Sequence, residues 1–212
     1  MGNNENTTAT TRRVELVLDI ICLHSHIGYA RFARAAERFR AGGGRLDVVF
    51  RPFQVNPTAA EAGEPLLDVL RRQFGPGFGQ DTEGLAAMGA ADGVELNYDR
   101  AVYSNTFQAH RLIAQASAQG LGEPMVERLF RAYATEGLNV GDPATLDTLA
   151  AEVGVVLRDG GDDALRADLE EVRSQGISSV PYFVFDGRTA FSGSQPEETY
   201  LAALKGSTAD VG

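Results

Sequence analysis

Residues 14–32, VELVLDIICLHSHIGYARF, join an apolar, branched run to the protein's only cysteine. Val14, Leu16, Val17, Leu18, Ile20 and Ile21 read as a buried strand. From Tyr29 to Arg40, Phe32, Ala35, Ala36 and Phe39 recur at helical spacing on one face. Cys22 therefore falls at a strand-to-helix turn, near the positive end of a helix. Unpaired backbone N–H groups there favour the thiolate, so the expected Cys22 pKa lies well below that of a free cysteine. The thiolate is the nucleophile. The alternative for a lone cysteine is a small buried hydrophobe, and the turn position weighs toward function.

Outward from this stretch, 212 residues with 43% hydrophobic content are enough for one large core, or a core with an inserted subdomain. Nineteen basic against twenty-nine acidic residues give a net charge of −10, which argues against nucleic-acid or anionic-membrane partners. No apolar run reaches membrane-spanning length. Residues 1–13 are polar, rich in Asn and Thr, and lack a secretory h-region, so a disordered tail and a cytoplasmic location are expected. Met1-Gly2 hints at myristoylation, but position 6 is Asn where that motif takes Ser or Thr.

After the first helix, Gly42-Gly43-Gly44 breaks the pattern and Leu46–Phe53 reads as a second strand, giving a βαβ unit with parallel pairing. Helices are expected over Leu66–Phe74, Thr82–Ala91, Thr106–Ala118, Met125–Thr135 and Ala144–Val153. Asp142-Pro143 supplies an N-cap and a proline at the first helical position, and Gly122-Glu123-Pro124 is a weaker version. A helix at Asp163–Ser174 follows. A hairpin then turns at Asp186-Gly187 between Pro181–Asp186 and Thr189–Ser192. The last helix runs from Pro196 to Leu204, with Gln195 as its cap. The order βαβ, α, ββα gives an α/β, thioredoxin-like layer over residues 14–57 and 156–205, with a helical subdomain inserted at 58–155.

Six segments carry a family resemblance: CLHSHIGYARF (22–32), RPFQVNP (51–57), NTFQAHRL (105–112), LFRAYATEGLNV (129–140), GISSVPYF (176–183) and SGSQP (192–196). In order and content they resemble the DsbA-like thioredoxin-fold proteins of the FrnE type, relatives of kappa-class glutathione transferases and 2-hydroxychromene-2-carboxylate isomerases. Family members typically read CPWCYIGxxRF at the first of these. Here Ser25 stands where the second cysteine of CxxC would be.

That replacement matters, because a resolving thiol attacks the mixed disulfide and a hydroxyl cannot. Ser25 lies one helical turn from Cys22 and can hydrogen-bond a thiolate; the alternative is that it fills the first turn. His24, if protonated, would disperse charge on Cys22, and a solvated loop histidine is the competing reading. His26, in place of the family's aromatic residue, is a weaker proton-donor candidate. Cys22, His24 and His26 do not converge as a zinc site, and no second ligand cluster exists, so no metal is expected.

The resemblance implies a cis peptide at Val180-Pro181 facing Cys22, offering strand-like hydrogen bonds to a thiol or peptide. It also implies a thiol-binding loop at Asn56, near Gln54. Phe53, Phe107, His110 and Arg111 are the expected substrate contacts, a packed or capped histidine being the competing reading of His110 and an ion pair with a protein carboxylate that of Arg111. Phe53, Phe74, Phe78, Tyr103, Phe107 and Tyr133 are candidates to line a cleft, core packing being the alternative.

The implied function is a thiol-dependent enzyme with one active-site cysteine. It would perform isomerisation, addition or group transfer on an apolar aromatic or polyketide-type small molecule. Glutathione or another low-molecular-weight thiol is the expected cofactor, and homodimerisation is left open. The alternatives are a monothiol disulfide oxidoreductase using a glutathione-type thiol, and a non-catalytic binding module. An ordinary thiol pKa with slow alkylation would favour the last.

Overall fold

A computed structural model of the chain describes residues 11–77 and 82–206. Residues 1–10 of the expected tail, with the Met1-Gly2 motif, lie outside the described residues, as does Phe78.

Strand β1 (Thr11–Leu18) is followed by α1 (Leu23–Ala41) and β2 (Arg45–Pro52). β1 and β2 pair in parallel, with Val14 opposite Val48 and Leu16 opposite Phe50. β1 starts inside the stretch expected to be tail. Thr11–Arg13 pair with Arg45–Asp47, and the Arg13 guanidinium reaches Asp47 at 3.1 Å. Such a polar strand end carries no hydrophobic signal.

β2 leads to a two-stranded pairing of β3 (Glu64–Pro65) with β4 (Val102–Tyr103), which sequence patterning misses. Helices α2 (Leu66–Phe74), α3 (Thr82–Ala90), α4 (Phe107–Ser117), α5 (Gly122–Arg131) and α6 (Pro143–Val153) occupy this middle region. A π-helical turn, Ala132–Glu136, extends α5. At the start of α6 the Asp142 carboxylate accepts from the Thr145 backbone N–H at 2.8 Å, with Pro143 at the first helical position, as expected.

The chain then forms α7 (Asp162–Ser174), the hairpin β5 (Tyr182–Phe185) and β6 (Thr189–Ser192), and α8 (Glu197–Lys205). Strand order is β2-β1-β5-β6, with β1–β5 and β5–β6 antiparallel. The hairpin turns at Asp186 and Gly187, whose φ values of 49° and 66° are the left-handed pair a two-residue turn needs. Asp186 accepts from the Arg13 backbone N–H and the Arg12 guanidinium, which holds its carboxyl below the usual range despite burial. Gln195 does not cap α8. Pro196 is the N-cap, and the Gln195 amide donates to the Ser192 carbonyl instead.

β1 is central and covered on both sides, which is why its sequence is a continuous apolar run rather than an alternating one. Leu16 and Leu18 join the main core with Phe32, Phe183 and Tyr200. Val17 packs with Val172 of α7 and Val180. The helical region shares the main core: Met125, Leu129 and Leu149 belong to the same buried cluster as β1.

Gly28 sets the distance between α1 and the loop before β5. A Cβ there would meet Pro181 Cγ at 2.8 Å and Ser194 at 3.4 Å. Gly28→Ala is therefore expected to push α1 from this loop and to cost about 1–3 kcal/mol of overpacking. A thermal or urea melt reads this directly, and an unchanged midpoint would show that the contact yields freely.

Candidate functional site

Strand β1 ends at Leu18, and Ile20 and Ile21 turn the chain into α1 rather than prolonging the strand. Cys22 is the N-cap of α1, with extended backbone (φ −92°, ψ 115°). The turn is held by the Cys22 N–H on the Asp19 carbonyl and the His26 N–H on the Cys22 carbonyl, both at 3.1 Å. The helix starts six residues before the aromatic face suggests, because its first turn buries Ser25, Ile27 and Gly28 instead of a long apolar stripe.

The Val180-Pro181 peptide is cis. Cys22 Sγ lies 3.6 Å from the Val180 carbonyl oxygen, to which the thiol donates. Cys22, Val180 and Pro181 are thus brought together from opposite ends of the chain.

Ser25 is fully buried. Its hydroxyl accepts from the Asp19 backbone N–H at 3.4 Å, and it lies near enough to the Cys22 sulfur to favour a thiolate there. Burial is the strongest influence on Cys22 and raises its pKa. The Ser25 hydroxyl and backbone N–H pull it down, the Asp19 carboxylate pushes it up, and the His24 backbone N–H pulls it down. The net direction is upward. This corrects the expectation of an acidified thiol. The helix N-terminus does act in the expected sense, but desolvation by residues distant in sequence outweighs it.

Alkylation requires the thiolate. Its rate with iodoacetamide should therefore inflect above the value of about 8.5 for a free cysteine. Ser25→Ala removes a thiolate partner and should move the inflection higher still. An inflection below about 8 in the natural protein would contradict this electrostatic picture.

Cys22 forms part of the floor of a cavity of about 440 Å³, together with Ile20, Ile21 and Leu23. Leu66, Leu70 and Phe74 of α2 form one wall. Tyr98, Tyr103 and Tyr133 contribute aromatic surface, and Asn56, His24 and His26 are also part of the lining. The volume and mostly apolar lining suit a small organic ligand. A larger depression of about 870 Å³ shares His26 and mixes apolar residues such as Tyr29, Leu121 and Phe130 with Glu127, Arg128, Arg131 and Glu152. It does not include Cys22.

His24 is an exposed part of the lining. His26 stacks on Phe130 with ring centroids 4.6 Å apart and 4° between planes. Burial lowers its pKa to about 4, so it is a neutral imidazole near pH 7, which corrects its reading as a protonated donor. Asn56 accepts from the Thr58 N–H and hydroxyl at 3.1 and 2.8 Å, and its side chain also hydrogen-bonds Tyr103. Gln54 is turned elsewhere and donates to the Asn105 side chain at 3.0 Å.

The other expected substrate contacts do not line this cavity. Phe53 packs with Cys22, Val17 and Val172 on the Val180 side. His110 is buried, and its Nε2–H donates to the Phe53 carbonyl at 2.8 Å, with Asp19 Oδ1 at 3.4 Å. This pins β2 to α4. Arg111 lies 3.5 Å from Asp162, joining α4 to α7. Phe107 sits under the Arg166 guanidinium at 5.1 Å. Their motif matches the family in register, but α4 turns these side chains toward the sheet edge and α7.

The residues missed are Asp19, Tyr98, Leu66 and Leu70. Asp19 is fully buried three positions before Cys22, and its Oδ2 accepts from the Val55 N–H at 2.7 Å. A carboxylate inside an apolar run was the available signal. Tyr98 lies in an irregular stretch with no periodicity to mark it. Among the described residues no cluster of three or more His, Cys, Asp or Glu side chains could hold a metal, and no helix is long and apolar enough to cross a membrane.

A mixed four-stranded sheet with a thiol at the first helix N-terminus, against a cis-proline, defines a thioredoxin-fold thiol protein. The chain belongs to the DsbA-like thioredoxin domain family, matched over residues 13–205. It is similar to a probable DsbA oxidoreductase from Streptomyces coelicolor (28% identity, TM-score 0.80, covering 95% of this chain and 93% of that one). It also resembles the cytosolic disulfide reductase DsbM of Pseudomonas aeruginosa solved with GSH (20%, TM-score 0.62, 92% and 98%). A third likeness is to a 2-hydroxychromene-2-carboxylate isomerase (11%, TM-score 0.63, 92% and 93%). The last two share the fold.

Proposed function

We propose that the protein is a cytoplasmic thiol-dependent enzyme acting on an apolar, aromatic or quinonoid small molecule. Its reaction would be isomerisation, addition or group transfer at Cys22. One observation carries this reading: the only thiol of the chain lies on the floor of an apolar cavity of about 440 Å³, backed by a buried hydroxyl instead of a second thiol. Cys22 and Ser25 are the proposed chemical pair, with His24 at the entrance. Asn56, Val180 and Pro181 would seat a low-molecular-weight thiol, in keeping with the GSH-bound DsbM neighbour.

The upward shift of Cys22 shapes the mechanism. The resting thiol is protonated, and the Ser25 hydroxyl and N–H stabilise the thiolate once it forms. Cys22 then either attacks an electrophilic carbon or orients the bound thiol cofactor that does so.

Two other readings each have a supporting observation. The Val180 carbonyl beside Sγ favours a monothiol disulfide oxidoreductase, because an extended thiol-bearing peptide can pair with backbone there. The raised thiol pKa favours a non-catalytic binding module. The mass of the protein purified from its native cells tests the first reading. A small-molecule or thiol adduct on Cys22 names the partner. Insulin reduction by the natural protein with glutathione, at rates matching a Ser25→Cys form, would favour the monothiol oxidoreductase.

A further inference from the structure

Among the described residues, two polar atoms of cavity-lining side chains are buried without a hydrogen-bond partner, His26 Nδ1, whose ring stacks on Phe130, and the Tyr133 hydroxyl. Tyr133 is 5% exposed and lines the cavity, and its buried hydroxyl has no hydrogen-bond partner among the described residues. A buried phenol normally finds one, because an unmet donor has lost its water and gained nothing in return. Cys22, Tyr98, Asp19 and Tyr103 are the ionisable groups around it.

The backbone that carries Tyr133 is itself unusual. Residues 132–136 form a π-helical turn, a feature often found at functional sites. Its carbonyls are met from outside the helix: Ala134 accepts the Asn97 N–H and Thr135 the Asn97 amide, both at 2.7 Å. The Thr135 hydroxyl returns a bond to the Glu95 carbonyl at 2.7 Å. These bonds tie the turn to the segment bearing Tyr98. Gly137 closes it with φ +70°, where a Cβ would meet the Arg100 carbonyl at 2.5 Å. The widened turn, stitched in place, fixes Tyr133 in the cavity wall.

We infer that the Tyr133 hydroxyl donates a hydrogen bond to a carbonyl or phenolic oxygen of the compound seated against Cys22. The inference rests on the small-molecule reading and narrows it: the substrate carries an oxygen acceptor on an otherwise apolar, ring-sized frame. Burial drives the Tyr133 pKa well up, so the phenol is a donor throughout the physiological range. A donor there would draw electron density from the substrate ring toward its oxygen, making a neighbouring carbon more electrophilic toward sulfur.

The test uses two unreactive probes of nearly the same shape, 1-tetralone with a ketone oxygen and tetralin without it. Binding to the full chain is measured by calorimetry for the natural protein, Tyr133→Phe and Tyr98→Phe. Tyr133→Phe is expected to weaken tetralone by about fivefold to tenfold, the worth of one neutral hydrogen bond. Tetralin should bind within about twofold, and the ligand-free melting midpoint should hold or rise, because no internal bond is lost. Equal tetralone affinity in Tyr133→Phe, a loss shared by tetralin, a loss confined to Tyr98→Phe, or a lowered midpoint would overturn the inference and leave the cavity reading intact. Failure of the natural protein to bind either probe would overturn the cavity reading and the inference with it.

Discussion

Cys22→Ser is expected to lose at least about a thousandfold of turnover on any substrate attacked at sulfur. The hydroxyl keeps the hydrogen-bonding position but is a far weaker nucleophile. Burial, which already holds the thiol above its ordinary pKa, would disfavour an alkoxide more strongly still. Because Cys22 is the only cysteine, no second thiol can compensate. Turnover retained within about tenfold would show that Cys22 only orients a cofactor thiol, a task a hydroxyl can perform.

Ser25→Cys is expected to produce the second large effect, a gain. Ser25 lies one helical turn from Cys22 and acts on its sulfur, which places a thiol at that position for a disulfide. The variant can then pass two electrons to a protein disulfide and end with an internal disulfide between Cys22 and the introduced thiol, to be recycled by dithiothreitol. Insulin reduction should rise by about tenfold or more, reflecting intramolecular resolution of the mixed disulfide. Under oxidising conditions the same variant should lose reactivity toward small electrophiles, since the nucleophile is consumed. A variant that forms no internal disulfide would show that the turn is too rigid for the exchange geometry.

Much of this architecture is legible in the sequence because local rules and tertiary packing agree. The apolar run of β1, the Asp142-Pro143 helix start and the Asp186-Gly187 turn each carry their cause in neighbouring residues. The family motifs place Cys22 and Val180-Pro181 together across 158 residues, a pairing that periodicity cannot supply. What fails is decided by distant partners. Thr11–Arg13 belong to β1 through cross-strand pairing and ion pairs, not through hydrophobicity. Register alone makes His110 a site candidate, but its Nε2–H is spent on the Phe53 carbonyl, in keeping with the packed-histidine alternative. The Cys22 pKa departs from expectation because the helix terminus is visible in the sequence, whereas burial beside residues far along the chain, such as Val172 and Val180, is not. The cavity wall at Leu66 and Leu70 reads as an ordinary amphipathic helix, since a face toward a cavity and a face toward a core have the same period.

The central claim is that a small apolar electrophile binds over Cys22 before it reacts. The most direct measurement is the rate of Cys22 adduct formation with 1,4-naphthoquinone against quinone concentration, followed by intact mass. In this addition sulfur bonds to a ring carbon, and the displaced electron pair moves to a quinone oxygen that takes up a proton, leaving a thioether hydroquinone. The account predicts saturation, with the rate reaching a plateau as the cavity fills, and competition by unreactive tetralone. A rate that climbs linearly with quinone and ignores tetralone would mean that the cavity takes no part, and would contradict the account.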